Sequence, residues 1–598
     1  MNTQSFDLTT DPWIKVIDGK TNQEETVSLI TFFENAQNYR QFAGELRAQD
    51  LATLRFLLAI LTTVYSRFDA AGKPYPWLTV DPDTLEDVGE VDESAYDGVD
   101  DKDTPRYVAD LLGTWQQLDS QKHFSSIVTE YLQHHAKQFD LFGDQPFFQV
   151  TEGQYNQLVL DKDRISLKKP KGTVALRQIN RQISESGNKA AAFSPKSEAY
   201  KDQMPLDELV RWLIMYQNVA GVTDKSKVKT DEKMSNPAGW LYKLNPVFAQ
   251  GNSVFETLML NMVLVNHDFT NDNEEGYVAQ KPVWEYSSIF DYIDERKKMI
   301  CPNNIAELYT TWARILHINW DTGQPLIFSA GIPMFNNYGA FVEPMTTWRN
   351  TKTQNDGKQW IPPQKRLNNV NVAMWRNFGQ YVNVSESDSQ LENDTKPGIV
   401  KWLQQLNKNG LIKNQATISL ASAALVRDDN ASSQMPAAEM FDDMRVKADV
   451  LFDPDIGKAQ YWPARIEMMI DLTKENSSKP SVGNDYRNFI TTVSKIRNAG
   501  RANQDVVNKA MATYYDGLNE PFKEWLGGLR NDQDRDEKSD EWAKYLRHYV
   551  IQLANDDAHN LSPRDISGYI DSNGRRQNIF MAINRFKHDI ATRLEGSK

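Results

Sequence analysis

The sequence predicts an α+β protein: a large mixed α/β N-terminal body followed by a C-terminal antiparallel helical bundle of the four-helix kind. Three observations predict it. Short apolar runs broken by turn residues fill the first forty positions. Helical periodicities then alternate with irregular stretches rich in Trp, Pro, Gly and Asn, up to about residue 428. Beyond that point, helical patterns follow one another with only short polar breaks. At 598 residues the chain is too long for one small core. The reading places a body over 1–428 and a bundle over 429–598.

The elements follow in order. WIKVIDG (13–19) and ETVSLITFFEN (25–35) read as strands leading into a helix. Apolar residues at three-to-four spacing predict helices at about 51–68, 105–118 and 123–139. The first of these follows Asp50, carries Arg55 and Arg67, and is short for a bilayer span, so it predicts a buried core helix. DQPFFQV (144–150) and YNQLVL (155–160) predict strands around a turn. Residues 161–205 are basic and aperiodic, long for a plain connection, and predict a functional or disordered loop. A helix is predicted from Asp207 to Ala220, closed by Gly221, and then a second basic loop precedes the apolar segment VFETLMLNMVLVN (254–266). After DDNASSQMP (428–436), helices are predicted at about 437–451, 461–476, 483–506, 507–528, 538–556 and 573–594. No internal repeat or low-complexity tract is visible.

Composition narrows the function classes. Apolar residues make up 40 % and aromatics 11 %, with 15 Trp and 26 Phe, which excludes a disordered or fibrous chain. A lone Cys301 excludes a disulfide framework and a Cys-based zinc cluster, and fits a reducing compartment. The N-terminus MNTQSFDLTTDPWIKV has neither the basic region nor the apolar core of a signal peptide, so a cytoplasmic location is expected. The net charge of −14 taken alone argues against nucleic-acid binding. The pattern argues otherwise. Asp81–Asp103 holds eleven acidic residues and one Lys, while Asp161–Arg181 holds seven basic residues and two acidic ones. The basic stretch makes Lys168, Lys169, Lys171, Arg177 and Arg181 candidate phosphate contacts, with Arg497 and Arg501 in the bundle.

Catalytic patterns are absent: no Walker loop, no GxGxxG after a strand, no HExxH and no GxSxG. His267-Asp268 and His588-Asp589 lack the further ligands a metal hydrolase needs, and read better as a helix cap and a solvated pair. His134 and His135 point about 100° apart on a helix and cannot easily share an ion. His548 and His559 would stand about 16 Å apart along one helix. Cys301 reads as a buried structural thiol. No catalytic residue, metal or cofactor is therefore expected.

DPWIKV (11–16), QPFFQV (145–150), a basic irregular loop, a helix, a glycine-containing turn, a mixed middle and a helical C-terminal region follow one another. In that order, and in GLIKNQATISL (410–420), the sequence resembles the CasA family, the large subunits of the type I-E CRISPR surveillance complex Cascade. The resemblance runs along essentially the whole chain. It implies that Gln415 is a wedge beneath the protospacer-adjacent motif (PAM) of target DNA, with Asn414 and Ala416 facing the minor groove. A side chain pushed into the base stack must offset unstacking of roughly a few kcal/mol per step, and an amide can hydrogen-bond the freed edges. KAAAFSPKS (189–197) resembles the family's loop whose Phe, here Phe193, meets the complex near the crRNA 5′ end and the PAM-side DNA. SNPAGW (235–240) aligns with the glycine loop that approaches the minor groove, through Gly239 alone.

Two departures stand out. No Lys occurs between Met299 and Asn350, where the family carries a lysine finger, which leaves Arg349, Lys352 or a polar residue for that part. The zinc-binding Cys set of some relatives is missing. The resemblance implies a non-enzymatic, membrane-free protein. Its partners would be double-stranded target DNA, the crRNA-containing backbone and small subunits, and the helicase–nuclease that degrades the target. Minor-groove reading separates little beyond A·T from G·C, so guide pairing would carry the specificity. Two rival readings stand beside it: a scaffold binding proteins only, and a metal-dependent nuclease using His267-Asp268.

Overall fold

The computed structural model describes residues 5–595 except 93–104, 166–171, 182–199, 222, 232–233, 235–237, 266–276, 322–324, 354–356, 364–369, 383, 385–393, 428–435, 557–560 and 572. The first apolar runs form strands leading into a helix, as expected. Strand β1 (Ile14–Asp18) lies between β2 (Glu24–Val27) and β3 (Tyr39–Phe42), antiparallel to both, with Ile14 opposite Val27 and Val16 opposite Phe42. Helix α1 (Leu29–Asn35) starts where the Ser28 side chain accepts from the Thr31 N–H.

Helix α2 (Arg47–Tyr65) is buried at 17 of its 19 positions. A helix apolar all round sits inside a large core, as the sequence predicts. Arg55 within it and Arg67 just past its end are neutralised in place. Arg55, fully buried, donates to both Glu343 oxygens at 2.9 and 2.8 Å. Arg67 donates to both Glu285 oxygens at 2.9 and 2.7 Å.

A small hairpin, β4 (Leu78–Val80) with β5 (Asp87–Val91), precedes α3 (Arg106–Gln121) and α4 (Ile127–His134). Residues 136–139 continue as a 3-10 turn, so the third predicted helix is shorter than its periodicity suggests. At 155–160 the predicted strand is wrong. Glu152–Leu158 is helix α5, begun by a capping box in which Thr151 Oγ1 accepts from Gln154 N and Gln154 Oε1 accepts from Thr151 N. The strand predicted at 144–150 is likewise irregular chain, tied to the rest by Val150 N donating to Leu316 O at 2.7 Å.

The turn α6 (Leu176–Ile179) and helix α7 (Leu206–Val219) come next, then β6 (Phe248–Gln250), α8 (Val254–Asn261), α9 (Ile289–Lys297) and α10 (Ile305–Thr310). Four of these helices, α4, α7, α8 and α10, pack on α2. The antiparallel hairpin β7 (Arg314–Asn319) and β8 (Leu326–Gly331) runs in register from Arg314–Gly331 to Asn319–Leu326. Strands β9 (Trp348–Thr353), β10 (Gly357–Ile361) and β11 (Asp394–Thr395) form a sheet in the order β10-β9-β11. Helix α11 (Gly398–Lys408) leads into β12 (Thr417–Arg427), and β13 (Pro436–Lys447) returns beside it in the order β13-β12-β6.

This ribbon corrects the helix predicted at 437–451. Only Ala448–Leu451, α12, is helical there. The buried residues of β13 are Pro436, Met440, Met444 and Val446, and the four-residue spacing of the first three mimics a helix. The remaining predicted helices form: α13 (Trp462–Thr473), α14 (Val482–Arg497), α15 (Gln504–Gly528) and α16 (Arg535–Asp556). A short helix α17 (Pro563–Ser567) and a two-residue hairpin, β14 (Tyr569–Ile570) with β15 (Arg576–Gln577), come before the last helix, α18 (Ile579–Glu595).

The chain divides into two compact units that interleave in sequence. One holds 1–371, 392–405 and 420–442; the other holds 372–391, 406–419 and 443–598. The sequence places a single boundary at 428 instead. In the second unit Trp375 stacks on Phe522 at 4.2 Å and the Arg376 guanidinium lies 3.5 Å over Tyr515. Glu467 there accepts from Gly379 N at 3.0 Å. Among the described residues no helix is long and apolar enough to cross a membrane.

Candidate nucleic-acid interface

Three residues end α11 and aim the next turn. Gly410 takes φ 71, a left-handed conformation that glycine adopts freely, and Leu411 N turns back to Leu406 O at 2.9 Å. The Asn407 amide then donates to Ile412 O at 3.0 Å and to Asn414 Oδ1 at 3.1 Å. Ile412 is buried and plugs the base.

Lys413–Ala416 close a β-turn, with Ala416 N donating to Lys413 O at 2.9 Å. Its outer carbonyls are held by the start of α12. Asp449 N donates to Asn414 O at 2.8 Å and Ala448 N donates to Ala416 O at 2.9 Å. Ala416 is half-buried and Asn414 is exposed but tethered. Gln415, at the tip, is exposed, and its amide has no hydrogen bond among the described residues. The turn therefore presents one free amide on a backbone fixed from both sides. Lys413 is exposed beside it, and Lys447 Nζ donates to Thr417 Oγ1 at 2.8 Å on the adjoining strands. Neither lysine nor Asn407 stands out in the sequence. The flanking position of Lys413 is the signal that could have found it.

The other expected contacts fall elsewhere. Gly239 is buried, and a Cβ on it would meet the Asn218 carbonyl carbon and oxygen at 2.2 Å. Its N–H donates to Ala220 O at 2.8 Å, so the glycine permits a close pass over the end of α7. The next residue, Trp240, donates its indole N–H to Glu343 at 2.5 Å. Arg177 is engaged: its Nε and Nη2 donate to Asp202 at 3.0 and 2.7 Å. Arg181 is not a surface cation. It is 1 % exposed beside Tyr216 and Tyr242, its Nε and Nη1 have no hydrogen-bond partner among the described residues, and burial lowers its pKa. Lys168, Lys169, Lys171 and Phe193 lie outside the described residues. In the C-terminal helices Arg497 Nε donates to Asp565 at 3.0 Å, while Arg501 is exposed.

The model of the family described as CRISPR-associated protein Cse1 matches residues 7–553. The chain belongs to the Cse1 family. Cse1 from Thermobifida fusca has a similar fold, at 19 % identity and a TM-score of 0.71, covering 99 % of this chain and 98 % of that one. Cse1 from Acidimicrobium ferrooxidans is similar at 17 % identity and a TM-score of 0.68, covering 100 % and 99 %. A chain of a structure described as a CRISPR RNA-guided surveillance complex is similar at 14 % identity and a TM-score of 0.60, covering 98 % and 99 %. No curated protein matches the chain.

His267-Asp268 and His559 lie outside the described residues. His135 is buried against the Tyr131 ring at 4.4 Å, and burial holds its pKa below the usual histidine value. His588 is exposed on α18. Burial pushes the Cys301 thiol up to about 12, which leaves little thiolate for nucleophilic attack. Among the described residues no three His, Cys, Asp or Glu side chains gather as metal ligands.

Proposed function

We propose that this Cse1-family chain is the large subunit of a CRISPR RNA-guided surveillance complex, where it reads the PAM of double-stranded DNA and starts strand opening. Gln415 is the wedge, Asn414 and Ala416 face the minor groove, and Lys413 and Lys447 meet the flanking phosphates. The chain performs no chemistry of its own. It sits against the crRNA-bearing subunits in the cytoplasm and docks the helicase–nuclease that degrades the target. The observation that carries this reading is the free Gln415 amide at the tip of a turn whose Asn414 and Ala416 carbonyls and Asn414 side chain are tied down. A wedge needs that preorganisation, because freezing a loose loop would consume the energy needed for unstacking.

The test compares guide-loaded complex with and without this chain on duplexes that differ only at the PAM. The chain is expected to be required, with a steep salt dependence from its phosphate contacts. Gln415→Ala is expected to slow strand opening about tenfold or more, since a wedge acts on a step costing a few kcal/mol, with the melting temperature unchanged. Equal binding without the chain would reject the reading and leave a protein-only scaffold.

A further inference from the structure

The Gln-Pro-Phe-Phe-Gln segment at 145–149, singled out in the sequence, has no part in the turn described above. All five of its residues line a cleft of about 170 Å³, walled on the other side by residues of 283–292 and by Thr310 and Trp312. We propose that this cleft binds a single unstacked nucleobase of a nucleic acid, with the sugar and phosphate left at its mouth. The inference stands apart from the PAM reading and uses none of its residues.

Size comes first. An apolar cavity of about 150 Å³ admits a benzene-sized ring, so this one has room for one ring system. The walls are aromatic. Phe148 packs against Phe147 at 4.7 Å and against Trp312 at 5.8 Å, and Trp284 and Tyr292 complete the enclosure. Aromatic walls around a planar ring are how proteins hold bases taken out of a stack.

The polar groups decide the class of ring. Among the described residues no charged side chain lines the cleft, so these walls offer nothing to a phosphate or carboxylate. It offers amides and hydroxyls instead. Gln138 lines the cleft with a buried Oε1 that has no hydrogen-bond partner among the described residues. Gln145 and Ser287 are exposed at its edge. A buried acceptor left unpaired is costly, and a donor on a base edge would satisfy it. Carboxamides carry both a donor and an acceptor, the pairing that base edges present. A phenyl or indole side chain from a protein would leave most of these groups unused. Phe148 adds an independent sign: it is held at φ 52, a left-handed conformation that bulky residues rarely adopt. Such a conformation persists only where the surrounding structure enforces it, so the wall around Phe148 is rigidly shaped.

The test uses the full chain and ligand-observed saturation-transfer NMR with adenosine, guanosine, cytidine and uridine, their monophosphates, and N-acetyl-tryptophanamide. Short unpaired ribo- and deoxyribo-oligonucleotides distinguish the two sources of a base. At least one nucleoside is expected to bind through its base protons, its monophosphate no more tightly. Gln138→Leu is expected to weaken that binding about tenfold through the lost amide. Ser287→Phe, at the exposed edge, is expected to block it without touching the interior, which covers the case in which Gln138→Leu fails to fold. Three results would each overturn the proposal: no nucleoside bound, binding unchanged in both variants, or the indole bound in preference to every nucleoside.

Discussion

At the scale of single residues, Arg55 and Arg67 are held inside the first unit by paired carboxylates. Arg55 and Glu343 are both fully buried, and Glu343 also accepts from the Trp240 indole and from Met345 N at 2.9 Å. Removing one partner of such a pair strands a charge, so Arg55→Met is expected to cost about 3–5 kcal/mol in urea denaturation. Gly239→Ala tests a different point. With Asn218 backbone atoms 2.2 Å from the new Cβ, α7 and the 238–240 segment must separate, and we expect a melting temperature lowered by several degrees. An unchanged melting point would show that the close pass is not needed for folding. These details were not legible in the sequence. A count of cations treats Arg181 like any surface arginine, and nothing local signals that it is buried. Asn414-Gln415-Ala416 was legible as a turn, but its tether, Asn407, comes from the end of the preceding helix.

At the scale of elements, the start of α2 is built from borrowed parts. Its N-cap residue, Leu46, has no side chain that can cap. Glu439 of β13 accepts from Ala48 N at 2.8 Å, and Asp50 accepts from Gly44 N at 2.8 Å. Burial raises the Asp50 carboxyl to about 7, with Glu439 nearby adding to the effect. Between the unfolded value of 3.8 and about 7, folded Asp50 keeps a proton that the unfolded chain releases. Stability therefore falls as pH rises through that window, by up to about 1.4 kcal/mol per pH unit. Asp50→Asn is expected to flatten this slope, read as the difference in denaturation midpoint between the two proteins from pH 4.5 to 8. Helices with their own periodicity, such as α7, were legible because the pattern is local. Strand β13 was not, because its pairing with β12 depends on residues across a gap while Met440 and Met444 repeat at helical spacing.

At the scale of the whole molecule, the class was legible: a mixed body and a helical C-terminal region both form. The interleaving of the units was not, since a segment such as 372–391 has no pattern that names its distant partners. Its contacts yield a prediction. A fragment spanning 429–598 lacks Trp375, Arg376 and Gly379, and thus the ring that stacks on Phe522 and the cation over Tyr515. Loss of a buried Trp costs about 3–5 kcal/mol. The fragment is expected to bind a hydrophobic dye and melt below the intact chain, and a fragment begun at residue 372 to recover both properties.

That same stack has a consequence during synthesis. Trp375 leaves the ribosome nearly 150 residues ahead of Phe522. At about 5–20 residues per second, the indole waits roughly 7–30 s for the ring that will cover it. Over that interval a large apolar side chain is open to mispairing with other nascent chains, so the yield of native protein should rise with chaperones that shield it and fall when translation stalls between the two positions.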